Sequence, residues 1–199
     1  MSYCYPKELE ELIVLFKELP GIGQKGAERM VFQMLKWPDG KLKHFGNQIS
    51  VLHDILKKCS ICGNLCTEEI CSICDDSKRD RCTICVLEDY TQVSSFEKSY
   101  YKGLYHILGG KLSPLENRGA DTLTIDLLIN RINAGEINEV ILALSLDIEG
   151  QATSIYIADL LKNSRAEITT LASGIPAGAD ISYANSATIS AAVKGRVKL

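Results

Sequence analysis

Four cysteines in the first half of the chain have the spacing of metal ligands. Cys59 and Cys62 form one Cys-x2-Cys pair, Cys71 and Cys74 form a second, and eight residues separate the pairs. Each pair can present two thiolates from one tight turn, and four thiolates complete a tetrahedral zinc site. Because no coordination position is left for water, we expect a structural zinc ion.

The chain has eight cysteines, so other ligand sets are conceivable. Cys82 and Cys85 form a third pair that could combine with the second. However, Cys85 lies in an apolar, strand-like run, where residues three apart face opposite sides of a sheet, so these two thiols should diverge. Cys66 could compete as a ligand but is more simply a spare thiol, and Cys4 is unassigned. Buried, reduced cysteines without a metal remain the alternative.

The stretch "LPGIGQKGA" at residues 19–27 could bind an anion. Gly21 and Gly23 can adopt positive φ values and allow another backbone to approach closely. The amides that begin the following helix point outwards with the positive end of its dipole. Lys25 and Arg29 lie one turn apart on the same face and can reach one track of phosphates. The alternative is a plain helix-helix corner that ends in a Schellman-type glycine.

Acidic residues follow two apolar runs that read as strands. Glu88 closes the run at residues 84–87, and Asp147 and Glu149 follow the run at residues 140–144. Parallel sheets place their sites where strands feed into loops, and carboxylates there could hold a magnesium ion. Solvated loop carboxylates, with any of them capping the next helix, are an equally good interpretation.

The elements that position these groups change along the chain. Apolar residues at helical spacing predict two helices around the glycine turn and a third from about residue 42 to 55. After the cysteines, strand-like runs alternate with helical segments at residues 123–132 and 152–161. This alternation indicates an α/β unit with a largely parallel sheet.

Composition limits the possible functions. At 199 residues and 46% hydrophobic, the chain can form one good core or two small ones. A formal net charge of −3 gives no general attraction to nucleic acid, so any such binding must be local. No apolar run approaches the roughly eighteen residues of a membrane span, and the start lacks the pattern of a signal peptide. We therefore expect a cytoplasmic protein with reduced thiols and no membrane partner.

From end to end, the sequence resembles the bacterial RecR family of recombination mediators. The resemblance lies in the glycine turn, the four cysteines, "TICVLED", "YHILGGKLSPLE", "EVILALSLDIEGQATSIYIADLLK", "LASGIPAGADISYA" and the closing Gly195-Arg196. It implies an α+β chain of several modules. These would be a helix-hairpin-helix region (1–57), a Cys4 zinc finger (58–77), a Toprim domain with a mainly parallel sheet (78–173) and a C-terminal segment that packs on a neighbouring subunit (174–199).

The family resemblance also implies roles for single residues. Lys25 and Arg29 match basic positions of the DNA-binding hairpin, the four cysteines match the zinc ligands, and Glu88 matches the Toprim glutamate. Catalytic Toprim enzymes have two aspartates one residue apart before a Glu-Gly pair, whereas this chain has Ser145 and Asp147 there. With one carboxylate missing, magnesium catalysis is not expected. The surface that carries Glu88, Asp147 and Glu149, the acidic face, would then serve as a docking surface for RecO or RecF.

The function that this resemblance implies is non-catalytic. With RecO and RecF, such a protein would help to load RecA on gapped single-stranded DNA, as a ring-like homodimer or homotetramer associated with the nucleoid. It would bind single- and double-stranded DNA without reading sequence. Two alternatives are a metal-dependent Toprim enzyme of nuclease, primase or topoisomerase type, and a zinc-dependent interaction module that does not bind DNA.

Overall fold

The first unit of the fold is helical and ends at Ile55. The structure, a computed structural model, describes residues 5–197. The helices of this unit are α1 (Lys7–Lys17), α2 (Gln24–Met34), α3 (Asp39–Ser50) and α4 (Leu52–Ile55). The third predicted helix is therefore interrupted at Val51, whose backbone leaves the helical region.

A small apolar core joins α1 to α2. Ile13 on α1 is buried against Ala27 and Val31 on α2, and Leu9 and Phe16 pack around them. Ala27 and Val31 are four residues apart, so they lie on one face of the helix. The two helices thus form a hairpin that holds the glycine turn between them.

The second unit, from Leu56 onwards, contains a small hairpin and a larger α/β region. Its strands are β1 (Lys57–Lys58), β2 (Leu65–Cys66), β3 (Thr83–Leu87), β4 (Leu104–Ile107), β5 (Glu139–Leu142) and β6 (Glu167–Thr170). Its helices are α5 (Ser72–Asp75), α6 (Val93–Lys98), α7 (Ile125–Ala134), α8 (Ile148–Leu161) and α9 (Ser186–Lys194). Within residues 5–197, every helix is too short or too polar to cross a bilayer.

The four longer strands form one sheet in the order β4-β3-β5-β6. All neighbouring strands in it are parallel, so the predicted sheet type is confirmed. Along β3, Ile84 and Val86 belong to the core that includes α7 and α8, whereas Cys85 and Leu87 belong to the core that includes Val93 at the start of α6. Both faces of the sheet are therefore covered, as parallel sheets require.

Parallel pairing brings the carboxyl ends of β3, β4 and β5 together, at the edge of the sheet where the strands end. Leu87 of β3 pairs with Ile107 of β4, and Val86 pairs with Leu142 of β5. The loops that leave these three strands therefore start side by side. This edge carries the acidic residues that the sequence singles out.

Candidate functional site

The four predicted zinc ligands come together in the structure. Their sulfur atoms all lie within 4.8 Å of one another, and all four side chains are buried. The sulfur atoms of Cys62 and Cys71 are 3.6 Å apart. Sulfurs bonded at about 2.3 Å to a tetrahedral zinc ion are separated by about 3.8 Å, so the cluster has the size of a zinc site. This buried set of four thiolates fits a structural zinc ion and leaves no open position for a substrate.

Local turns place the two cysteine pairs. The hairpin of β1 and β2 carries the first pair, and Gly63 closes its turn with a φ of 77°, a conformation that favours glycine. Cys71 caps α5, because its sulfur accepts a hydrogen bond from the amide of Cys74. The amide of Ile107 in β4 also donates to the carbonyl of Cys62 at 2.7 Å. The turn that carries Cys59 and Cys62, called the zinc knuckle below, is therefore bonded to the outer side of β4.

The remaining described cysteines lie outside this cluster. Cys85 is fully buried in β3, and burial raises the pKa of its thiol to about 12, so it behaves as a core side chain. Cys82 precedes the same strand and is half-buried. Cys66 packs beside the cluster, but its thiol donates to the carbonyl of Glu68 at 3.0 Å. Cys4 lies outside the described residues.

The glycine turn between α1 and α2 leaves the start of α2 without a side-chain cap. Gly21 has a φ of 79°, but Gly23 has a φ of −89°, so the expected positive value occurs only at Gly21. Gly23 is instead the extended N-cap of α2, and no side chain caps that end of the helix. Lys25 and Arg29 are both exposed on the first turns of α2. The amides and these two cations can therefore face the same anion.

Glu88 and Asp147 lie at neighbouring strand ends and bind the backbone. Glu88 follows β3 directly and accepts a hydrogen bond from the amide of Ser145 at 2.5 Å. Asp147 caps α8 by accepting from the amide of Gly150 at 2.7 Å. The helix begins at Ile148, so Gly150 lies in its first turn. A Cβ atom at Gly150 would collide with the carbonyl of Ser145, so only glycine allows this close approach.

Lys111 and Ser113, for which the sequence predicts no role, complete the cluster. The ammonium of Lys111 lies 2.5 Å from Asp147 Oδ2 and 3.9 Å from Glu149 Oε2. The hydroxyl of Ser113 donates to Glu149 Oε1 at 2.5 Å. Their only signal in the sequence is that both follow β4 and the two glycines at residues 109–110.

These contacts shift the pKa values of Asp147 and Lys111 so that each group favours its charged form. The Lys111 ammonium and the Gly150 amide lower the pKa of the Asp147 carboxyl, and the hydrogen bond to Asp147 raises the pKa of Lys111. Both groups are therefore charged at neutral pH. The edge of the sheet carries three carboxylates, from Glu88, Asp147 and Glu149, and one ammonium in contact with two of them.

Family models match the chain in four consecutive parts. They are described as RecR helix-hairpin-helix (residues 9–51), RecR Cys4-zinc finger domain (56–76), Toprim domain (82–172) and RecR C-terminal (174–197). The modules occur in the order that the sequence predicts, and the α+β fold class is confirmed.

Curated relatives match over nearly the whole chain, and each is named Recombination protein RecR. The protein from Bifidobacterium animalis subsp. lactis is 42% identical over 197 residues, which is 98% of both chains. The protein from Treponema denticola is 43% identical over 193 residues, 96% of this chain and 98% of its own. The protein from Lactobacillus johnsonii is 43% identical over 98% of this chain and 99% of its own. With this identity over both full lengths, and with a hairpin, a Cys4 cluster and a Toprim-type sheet in order, the chain belongs to the RecR family of recombination proteins.

Proposed function

We propose that this protein is a non-catalytic mediator of recombination and repair that binds DNA as a ring-like homo-oligomer. With RecO and RecF, it would help to load RecA on gapped single-stranded DNA in the cytoplasm, at the nucleoid. The observation that carries the proposal is the exposed pair of Lys25 and Arg29 beside the uncapped start of α2. Such a surface binds phosphates without reading bases.

The charge of the chain supports a local and weak contact from each subunit. The formal net charge is −3, so the positive charge of the hairpin must attract DNA while the net negative charge of the chain repels it. The side chain of Gln24 donates to Glu28 at 2.6 Å, and the Glu28 carboxylate lies on the same helix as the two cations. Each subunit therefore offers few phosphate contacts. A ring would make the later contacts intramolecular and would raise the overall affinity.

The C-terminal segment supports assembly with a neighbouring subunit. Ile181 and Tyr183 are exposed, and Ile189 and Val193 on α9 also present apolar surface to solvent. Apolar side chains grouped in a short segment are typical of a surface that is covered in an assembly. We propose that residues 174–199 pack on a neighbouring copy, that residues 1–57 contact DNA, and that residues 58–77 and 78–173 form the zinc finger and the Toprim domain.

The acid cluster would then serve as a docking face for RecO or RecF. Ser145 stands where a catalytic Toprim enzyme has an aspartate, and the amide of Ser145 is bound to Glu88. A site that lacks this carboxylate has one ligand fewer for the metal ion that would stabilise a reacting phosphate. Protein docking uses the same carboxylates through their charge alone.

Removal of the two hairpin cations tests the proposal. We expect Lys25→Ala with Arg29→Ala to weaken binding to single- and double-stranded DNA alike. It should also flatten the plot of log affinity against log salt, by roughly 0.7 to 0.9 for each phosphate that the variant no longer neutralises. Fluorescence anisotropy with labelled oligonucleotides across a salt series measures both quantities.

A matched control removes the same charge elsewhere. Lys7 and Lys162 are exposed lysines that pair with Glu11 and Asp159, so Lys7→Ala with Lys162→Ala should leave DNA affinity nearly unchanged. If the folded hairpin variant keeps the affinity and salt slope of the wild type, the hairpin does not contribute to DNA binding and the proposal is wrong in its central step.

A further inference from the structure

The Toprim fold implies a divalent cation at the acid cluster, and Lys111 stands where that cation would be expected. Lys111 comes from the loop after β4, whereas the acids follow β3 and β5. Its side chain is 21% exposed, and its ammonium contacts Asp147, whose side chain is 52% exposed. The lysine thus supplies positive charge where three strand ends converge.

In Asp147 and Glu149, the carboxylate oxygen that is not bound to another donor is the one that lies nearest to Lys111. Asp147 binds the Gly150 amide with Oδ1 and Lys111 with Oδ2. Glu149 binds the Ser113 hydroxyl with Oε1, and its Oε2 lies 3.9 Å from the ammonium. Asp147 and Glu149 therefore each direct one oxygen to a backbone or hydroxyl donor and the other towards the same cation.

A resident magnesium ion does not fit this arrangement. Magnesium needs six oxygen ligands in octahedral geometry, and the Lys111 ammonium already binds Asp147 Oδ2, one of the oxygens that a cation would need. Ser145 contributes an N–H donor to Glu88 and no carboxylate. An ammonium and a divalent cation also repel each other at such short range.

We propose that Lys111 is a built-in counter-ion that replaces the divalent cation of a Toprim site. The ammonium holds Asp147 and Glu149 in place, so the acidic face is assembled without metal. Removal of the ammonium would leave the same carboxylates without a cation and would open a latent site for Mg2+ or Mn2+. The inference goes beyond the proposed function, since it requires neither DNA nor a protein partner.

Manganese binding by the full-length, zinc-loaded protein tests the inference. Mn2+ prefers oxygen ligands, so the cysteine site does not compete, and the electron paramagnetic resonance signal of free Mn2+ reports binding directly. We expect no saturable binding by the wild type up to about 1 mM Mn2+. Lys111→Met should gain one site per chain that binds at least tenfold more tightly. Lys111→Arg keeps the positive charge and should not gain this site.

Further variants locate the site and guard against misfolding. Asp147→Asn can still cap α8, and in the Lys111→Met background it should abolish the new site. Lys162→Met removes a surface lysine at the C-terminal end of α8, where it pairs with Asp159, and should behave as the wild type. Lys111→Gln provides a second neutral side chain if Lys111→Met folds poorly, as judged by circular dichroism.

Three results would overturn the inference. The first is wild-type protein that binds Mn2+ as tightly as Lys111→Met, because Lys111 would then not occupy the cation site. The second is folded Lys111→Met or Lys111→Gln that binds no Mn2+. The third is binding that survives Asp147→Asn, because the ion would then lie elsewhere. Since none of these measurements involves DNA, a loss of DNA binding in the hairpin variants leaves this test unaffected.

Discussion

His106 is a fully buried histidine that is neutral at physiological pH. It lies in β4, and its Nε2 is 3.1 Å from the carbonyl of Thr124 and 3.0 Å from the hydroxyl of the same residue. Its Nδ1 has no hydrogen-bond partner among residues 5–197. Burial lowers the pKa of His106 to about 4. The ring is therefore held as the tautomer that carries its proton on Nε2, where it can donate to the carbonyl.

This histidine should make stability depend on pH. In the unfolded chain the pKa of this histidine is near 6.5, so as pH falls the unfolded chain takes up the proton before the folded protein does. The neutral, buried His106 therefore contributes its full stability above about pH 6.5, and this contribution is lost as pH falls towards 4. Between pH 7.5 and 5.5 we expect a loss of about 1 kcal/mol in the free energy of unfolding. Urea unfolding of the wild type and of His106→Gln at both pH values measures it. An equal loss in both proteins would contradict the prediction.

At the scale of residues, short spacings were predictable and long-range pairings were not. The two Cys-x2-Cys pairs each form within one turn, so their chemistry is visible in the sequence. The contact of Lys111 with Asp147 spans 36 residues and depends on β4 lying on one side of β3 while β5 lies on the other. No local pattern reports that strand order. The residues around Lys111 therefore predict no role for it.

At the scale of elements, the amphipathic and the strongly apolar segments were predictable. The strand β6 (Glu167–Thr170) was missed, because it lies at the edge of the sheet and is half polar. Helix α6 was missed because its six residues are too few to show a helical period. Helix α9 was also missed: it is capped by Asn185, but within the described part of the chain none of its residues is buried.

The zinc finger should protect its own hairpin from proteolysis. Lys57 and Lys58 are exposed in β1, which is held by β2 and by the neighbouring Cys59. Because trypsin needs a locally unfolded chain, removal of zinc should increase cleavage after these lysines by an order of magnitude or more. A timed digest with and without a zinc chelator under reducing conditions measures the increase.

Cysteine variants supply the control for this digest. Cys74→Ser removes a ligand of the buried cluster and should mimic the chelator. Cys66→Ser changes a thiol outside the cluster and should retain one zinc ion per chain and the slow digest. Rapid cleavage of the zinc-loaded wild type would show that the metal does not hold this hairpin.

At the scale of the whole molecule, DNA binding should follow assembly. A chain with a net charge of −3 and two hairpin cations per copy gains little affinity alone, whereas several copies on one DNA molecule add their contacts. We expect salt-sensitive binding that appears together with a dimer or tetramer. Light scattering and anisotropy under the same conditions measure both. A stable oligomer without affinity at low salt would mean that the hairpin builds the ring or needs a partner.

The bond from the Ile107 amide to the Cys62 carbonyl has a consequence for the solubility of the protein. Strand β4 lies at one edge of the sheet, and its outer side would otherwise offer unpaired backbone groups to any passing strand. The zinc knuckle pairs with that side of the strand at Ile107. A chain deprived of zinc would expose β4 to other copies, so a cell short of zinc would lose this protein to aggregation, and chelated samples should become turbid on storage.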